Sequence, residues 1–263
     1  MKNIQLKFSF AAILIMMVVS SCEKVIDIDL NTKDPKIVIE AIVDDQPGPY
    51  YVRLSTTVNF DEPNNFPPVT GARVIINDDQ FGNDTLIEIS PGLYQTTSLQ
   101  GVYGHTYTLQ VNTPSGEAYT SVCKMPELVP YDSLTVDSLS FFGASTINFT
   151  PYYVDPITIG NRYRFIVYRN NKLVEEAVVF EDRFNNGLLN SRPIIVGEEW
   201  ESGDSARIVK QDIDQGIYDY FNSLQLSSDG QTAAPANPLS NISNGALGYF
   251  SAHTTQTKSV AVP

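Results

Sequence analysis

The chain has only two cysteines, Cys22 and Cys123, and two histidines, His105 and His253, in 263 residues. Neither histidine has a second His, Cys or carboxylate at ligand spacing, so the sequence predicts no metal site and no cofactor. Basic side chains are also scarce: 17 Lys and Arg stand against 30 Asp and Glu, a formal charge of −13. That balance disfavours phosphate backbones and anionic membrane surfaces, both of which attract cations, and excludes nucleic acid as a partner. Phosphate-cradling glycine loops are missing, and so is a Gly-x-Ser-x-Gly elbow, whose nearest match carries Asn241 where the first glycine belongs. The acidic stretch 77–84 lacks the spacing of a calcium loop and its bidentate glutamate, and it reads as a solvated hairpin turn. Adjacent carboxylates such as Glu175-Glu176 and Glu198-Glu199 would point to opposite faces of a strand, so no glycosidase pair is implied. The chemistry predicts a protein that is not an enzyme.

Long hydrophobic runs are absent as well. The apolar stretch from Phe8 to Val19 falls short of the ~20 residues needed to span a bilayer. It follows Lys2 and Lys7 and ends in Val19-Ser20-Ser21-Cys22. This is the layout of a bacterial lipoprotein signal, in which small residues precede a cysteine that receives acyl chains such as palmitate. Residues 1–21 are therefore expected to be a signal peptide, Cys22 the lipidation site, and 22–35 an anchor segment. With Cys22 acylated, Cys123 has no disulfide partner. Stability must then come from buried apolar area, consistent with 42% apolar residues. Cys123 lies in the strand-like Tyr119-Thr-Ser-Val-Cys123 and reads as a buried, inert thiol.

Short runs of β-branched and aromatic residues, punctuated by Gly, Pro, Asn and Asp, fill the rest of the chain. Ile26, Ile28 and Leu30 alternate with Asp27 and Asp29 as a half-buried strand would. Further strands are expected through 36–125, with turn chemistry at Pro47-Gly48, Pro91-Gly92 and Ser115-Gly116. Their number and spacing fit an immunoglobulin-like sandwich. Pro126 and Pro130 interrupt strand pairing and mark 126–133 as a linker. A second β-rich domain follows over 134–263, with a two-residue turn at Asn170-Asn171. One short helix is read from Ile213, Ile217, Tyr220, Phe221 and Leu224, with Asp212 as its N-cap. Residues 246–253 and 256–262 read as two terminal strands. The predicted fold is thus mainly all-β, with two sandwich-like domains.

Tyr50, Tyr51, Tyr152, Tyr153 and Trp200 are candidates for stacking on sugar rings, although one of each adjacent tyrosine pair should face the core. Asp-(Ser/Thr)-apolar triplets at Asp84, Asp132, Asp137 and Asp204 resemble a bacterial O-glycosylation signal. Near the C-terminus, Asn237-Pro238 sets one turn and Asn244-Gly245 another, and Gly248 permits close backbone approach. The stretch reads first as a structural loop, and Asn237, Pro238, Leu239 and Ile242 make up a candidate partner loop as the alternative.

Taken together, the lipobox, Ile37-Val-Ile-Glu-Ala-Ile-Val43, Gly92-Leu-Tyr94, Gly104-His-Thr-Tyr-Thr-Leu109, Gly116-Glu-Ala-Tyr119, Met125-Pro126 and the stretch from Asn237 to Ala252 resemble the DUF4249 lipoproteins of Bacteroidota. The resemblance implies a β-rich envelope lipoprotein, anchored to the outer membrane on its periplasmic or its surface face, and often encoded beside a TonB-dependent receptor. It carries over no catalytic residue. The expected function is a non-enzymatic accessory or binding subunit of such a receptor system; the alternative is a glycan-binding surface lipoprotein. The expected partners are the membrane, through the lipid anchor, and a receptor or a glycan.

Overall fold

Alternation in the sequence becomes alternation in space. In Ile37–Asp44 the side chains of Ile37, Ile39, Ala41 and Val43 are buried while Glu40 and Ile42 are exposed. In Ala118–Lys124 the buried set is Tyr119, Ser121 and Cys123. The computed structural model describes residues 34–59, 62–141, 144–183, 186–228 and 236–263, with side chains 139–145 left out. The signal segment, Cys22 and the expected strand at Ile26–Leu30 lie outside the described residues. In chain order the strands are β1 (Ile37–Asp44), β2 (Tyr51–Thr56), β3 (Arg73–Asp78), β4 (Gly82–Thr85), β5 (Ile87–Ser90), β6 (Leu93–Gln95), β7 (Thr106–Asn112) and β8 (Ala118–Lys124). There follow β9 (Ser133–Phe141), β10 (Ala144–Val154), β11 (Arg162–Arg169), β12 (Lys172–Glu181), β13 (Leu189–Asn190), β14 (Ile194–Ile195) and β15 (Ser205–Asp212). A helix, α1 (Gln215–Ser228), and a long last strand, β16 (Leu247–Ala261), complete the chain.

The strands form an eight-stranded sheet in the order β12-β11-β15-β16-β1-β2-β6-β5, and two four-stranded sheets, β4-β3-β7-β8 and one in which β10 pairs with β9, β13 and β14. Ile39, Ala41, Leu54 and Tyr94 of the large sheet pack against Ile76, Tyr107 and Leu109 of β3 and β7 in one core. Phe165, Val167 and Ile208 pack against Phe149, Tyr153 and Ile194 in another. The result is a mostly β, sandwich-like fold with a single helix among the described residues.

One strand belongs to both sandwiches. Instead of the two terminal strands that the sequence suggests, β16 is continuous. Its first half pairs in parallel with β1, from Val38↔Leu247 to Asp44↔His253. Its second half pairs antiparallel with β15 on the other side, from Asp212↔Thr254 to Ser205↔Ala261. The stretch 126–133 is almost free of strand pairing, and residues 34–263 form one compact unit, because 247–253 complete the sandwich begun at residue 37. A single proteolytic cut between Glu127 and Asp132 should therefore leave both fragments together on gel filtration and melting in one step. Fragments that separate under native conditions would show that the shared strand does not hold them.

The helix carries the apolar spacing read from the sequence, with Ile217 and Phe221 buried and Tyr220 and Phe221 packed on Tyr249. Its cap is different. Asp214, not Asp212, accepts the Ile217 N–H at 3.0 Å, because Asp212 is still inside β15 and engaged with Lys210. The helix lies on the β11–β12 side of the sheet, against Ala177 and Val179. It thereby buries the face of that sheet turned away from the second core.

Candidate functional site: a cleft at the junction of the sandwiches

A cleft of about 530 Å³ opens where the two sandwiches meet, lined by 124–130 on one side, by Val154, Pro156, Thr158 and 160–163 on the other, and by Asp212–Gln215 at the start of the helix. Junctions of this kind are common ligand sites. Its walls are tied together from behind by an ion pair. The wholly buried Lys210 Nζ lies 2.6 Å from Asp212 Oδ1 and donates to the Val129 carbonyl at 3.0 Å, fastening the linker to β15. The ammonium also sits 4.6 Å from the Tyr163 ring centroid and 5.2 Å from that of Tyr153. Thr254 Oγ1 donates to the second Asp212 oxygen at 3.2 Å. Burial pushes the lysine down and the aspartate up, and each partner's charge opposes that shift in the other. Nearby, the Tyr163 hydroxyl donates to Asp155, whose carboxyl burial raises.

A second polar chain runs under the helix. Arg164 is packed face-on against Phe221 at 3.5 Å and donates to Gln211 Oε1 at 3.1 Å. Gln211 Nε2 lies 2.8 Å from His253 Nε2, and His253 Nδ1 lies 2.8 Å from Ser251 Oγ. The arginine fixes the amide orientation: its oxygen accepts, its NH₂ donates to Nε2, and the imidazole proton is therefore assigned to Nδ1, facing the serine. A serine beside a histidine has the residue types of an activated nucleophile, but Ser251 and His253 are each 1% exposed and Nε2 is an acceptor already in use. The pair is sealed from substrate.

Burial, reinforced by the Arg164 charge, holds the His253 imidazole down at about 3. An unfolded histidine titrates near 6.5, so below that pH the unfolded chain binds a proton that the fold refuses. The stability is complete above pH 6.5 and is lost as pH falls toward 3, at a limiting slope of about 1.4 kcal/mol per pH unit. His253→Gln should flatten this part of the stability profile in urea titrations between pH 4 and 7. An unchanged slope would assign it to other groups.

Sequence spacing did not reveal that His105 meets two aspartates. The β3–β7 register brings them together, and ligand-type atoms of Asp78, Asp79 and His105 lie within 4.8 Å of one another. These groups are already used. Asp78 Oδ1 accepts from Gln80 and Phe81 N–H at 2.8 and 3.2 Å, both its oxygens lie 3.0 Å from His105 Nδ1, and Asp79 accepts from Thr106 N–H at 3.1 Å. The arrangement closes the β3–β4 hairpin. Asp84, at its far end, accepts from Thr97, Ser98 and Leu99 N–H, and these bonds outweigh burial and hold its carboxyl below the ordinary value.

The expected partner loop is divided by the structure. Ile242 is buried in the first core and cannot be a contact residue, whereas Leu239 is 63% exposed. Asn237 and Pro238 lead into a stretch clamped at Asn241, whose side chain donates to Phe250 O and accepts from Phe250 N–H. Ser243 N–H and hydroxyl, and the Asn244 amide, close the exposed edge of β8. Of the aromatic candidates, Tyr50 and Tyr153 are core, Trp200 packs edge-on against Phe149, and Tyr51 is 46% exposed. Thr85, Ser133, Ser138 and Ser205 of the four Asp-(Ser/Thr) triplets are all exposed. No helix among the described residues is long and apolar enough to cross a membrane. Cys123 is buried, accepting the Ala252 N–H, and burial raises its thiol well above the usual value.

Fold and site together define a β-sandwich protein with a cleft at a shared-strand junction. Over residues 23–259 the chain matches the family described as Domain of unknown function (DUF4249), and it belongs to that family. No curated protein matches it.

Proposed function

We propose that this chain is a non-enzymatic lipoprotein of the outer membrane, held by acyl chains on Cys22, that serves as an accessory or binding subunit beside a TonB-dependent receptor. The observation that carries the binding role is the junction cleft, which is large enough for a small ligand or a short peptide segment. The buried charged groups behind it are committed to holding its walls, as Lys210 holds Val129 and Asp212. Such a site is built to hold and not to turn over. The anchor rests on the Val19-Ser-Ser-Cys22 motif, and the receptor and bacterial phylum rest on family resemblance. A glycan role gains less support, since Tyr51 is the candidate with most of its ring free and a platform needs several.

Fractionation of cells expressing Cys22→Ala tests the anchor. The expected result is loss of palmitate labelling and release from the outer membrane, since acyl chains contribute about 0.8 kcal/mol per buried CH₂. Equal membrane retention would reject it. Gentle solubilisation of the wild type should recover an outer-membrane receptor, and Leu239→Ser, which leaves the buried Ile242 intact, tests the loop. A preparation that contains no receptor but binds a glycan array would favour the alternative.

A further inference from the structure

The wall of the cleft formed by 124–130 is a length of chain held extended with its backbone unused. Residues 125–132 contain no turn or bend. Pro126 and Pro130 fix their own φ and bias Met125 and Val129 toward extended geometry. Both ends are pinned. Met125 N–H donates to His105 O at 3.0 Å and Met125 O accepts the Gly104 N–H at 2.8 Å, while the Val129 carbonyl takes Lys210 Nζ at 3.0 Å. Between these pins, among the described residues, no hydrogen bond reaches the N–H of Glu127 or Leu128, or the carbonyls of Pro126, Glu127 and Leu128. Leu128 is 37% exposed, Val154 on the facing wall is 54% exposed, and neither belongs to a core.

What covers that wall must meet three conditions. A lipid tail or other apolar ligand would strand the backbone groups without partners, which is unfavourable. A ligand of one charge sign would meet both signs at once, for Lys124 and Glu127 stand on one wall, Arg162 on the other and Asp214 at the helix start. None of these four is in an ion pair among the described residues. A sugar would need an aromatic platform, but the single aromatic of the lining, Tyr163, is 1% exposed and gives its hydroxyl to Asp155. An extended peptide answers all three. Its backbone offers donors and acceptors at the spacing of the wall's own, it is neutral along its length, and its side chains supply the apolar part.

We infer that the junction cleft takes an extended peptide segment of a partner protein, which lies alongside 126–128 as an added strand and sets an aliphatic side chain between Leu128 and Val154. This names the ligand class of the binding role proposed above and rests on that role. Backbone pairing supplies the affinity, and the aliphatic anchor supplies the choice of sequence. A wall of this length accommodates a peptide of about seven residues.

The test uses the chain from Glu23 onward, which contains the whole compact unit, against a random library of peptides about seven residues long. Selected peptides should bind with a Kd below about 100 μM and share an aliphatic position. N-methylation along the best peptide should weaken binding about tenfold at alternate residues and little at those between, because one N–H in two faces the wall. Leu128→Ser with Val154→Ser should weaken the same peptide at least about tenfold, with melting unchanged because both side chains are outside the cores. Ile87→Ser, on the edge strand β5, should bind as wild type. Peptides whose binding shows no such alternation, or that the double variant binds equally, would overturn the proposal. So would a library that yields binders only for a chain shortened to begin at Asp34, since that result gives the cleft to the chain's own preceding segment. If no peptide binds while a fragment library yields compounds that the double variant loses, the cleft is a binding site of another chemistry and this inference falls alone. If neither library yields a binder, the binding role falls with it.

Discussion

Lys210→Met should cost this protein about 3–5 kcal/mol of stability, because it leaves the Asp212 carboxylate buried opposite an apolar side chain. The wild-type pair is closed on all sides: Lys210 reaches Asp212 and the Val129 carbonyl, Asp212 also takes the Thr254 hydroxyl, and the Tyr153 and Tyr163 rings flank the ammonium. Once the lysine is gone, Asp212 can relieve the penalty only by taking a proton, so the loss should be smaller near pH 4 than at pH 7. The double variant Lys210→Met with Asp212→Asn removes both charges and should recover most of the difference. Urea midpoints for the four members of the cycle decide the matter. A single variant within about 1 kcal/mol of wild type would mean that the pair is not desolvated as its burial indicates.

Nothing in the sequence announces that pair, because both faces of β15 are covered. Lys210 and Asp212 are two apart on a strand, where period-two logic places both on one face, and charged residues in that pattern read as solvent-facing. In β15 that logic fails, since every residue from Ile208 to Asp212 is buried. The face that carries Ala206, Ile208, Lys210 and Asp212 is turned to the second core and the junction, and the face that carries Gln211 lies under α1, so polar side chains that would be wet in an open sandwich are enclosed. Arg164, Gln211 and His253 are hidden from sequence for the same reason.

Features set by local stereochemistry were legible. Asn170 and Asn171 both adopt positive φ, 49° and 65°, and make the two-residue turn between β11 and β12. In each adjacent tyrosine pair one ring is core, Tyr50 and Tyr153, as the pleat demands. The strand-like Tyr119–Cys123 lies in β8, with Cys123 buried. What depends on partners distant in sequence was not legible: the pairing of Asp78 with His105 through the β3–β7 register, and the continuity of β16, whose two halves look like separate strands because they serve different neighbours.

That continuity underlies the other large expected effect. Gly248 sits in β16 directly opposite Ile39 in the parallel pairing with β1, at a φ of +87°. A Cβ there would fall 2.1 Å from the Ile39 carbonyl oxygen and 2.8 Å from its carbon, both backbone atoms that cannot turn aside. Gly248→Ala must therefore meet strain in its own backbone and a clash across the ladder, and the two together should cost about 3–4 kcal/mol. Because 247–253 are the part of the C-terminal half that completes the first sandwich, the damage should concentrate there. Hydrogen exchange should show β1 and β2 amides losing protection more than those of β11 and β12. The comparison substitution is Gly203→Ala, at φ +92° with open space around it, which carries backbone strain without the clash and should cost about 1–2 kcal/mol. Equal losses at the two glycines, or uniform loss of protection across both sandwiches, would show that close approach of β16 to β1 is not what holds the two halves together.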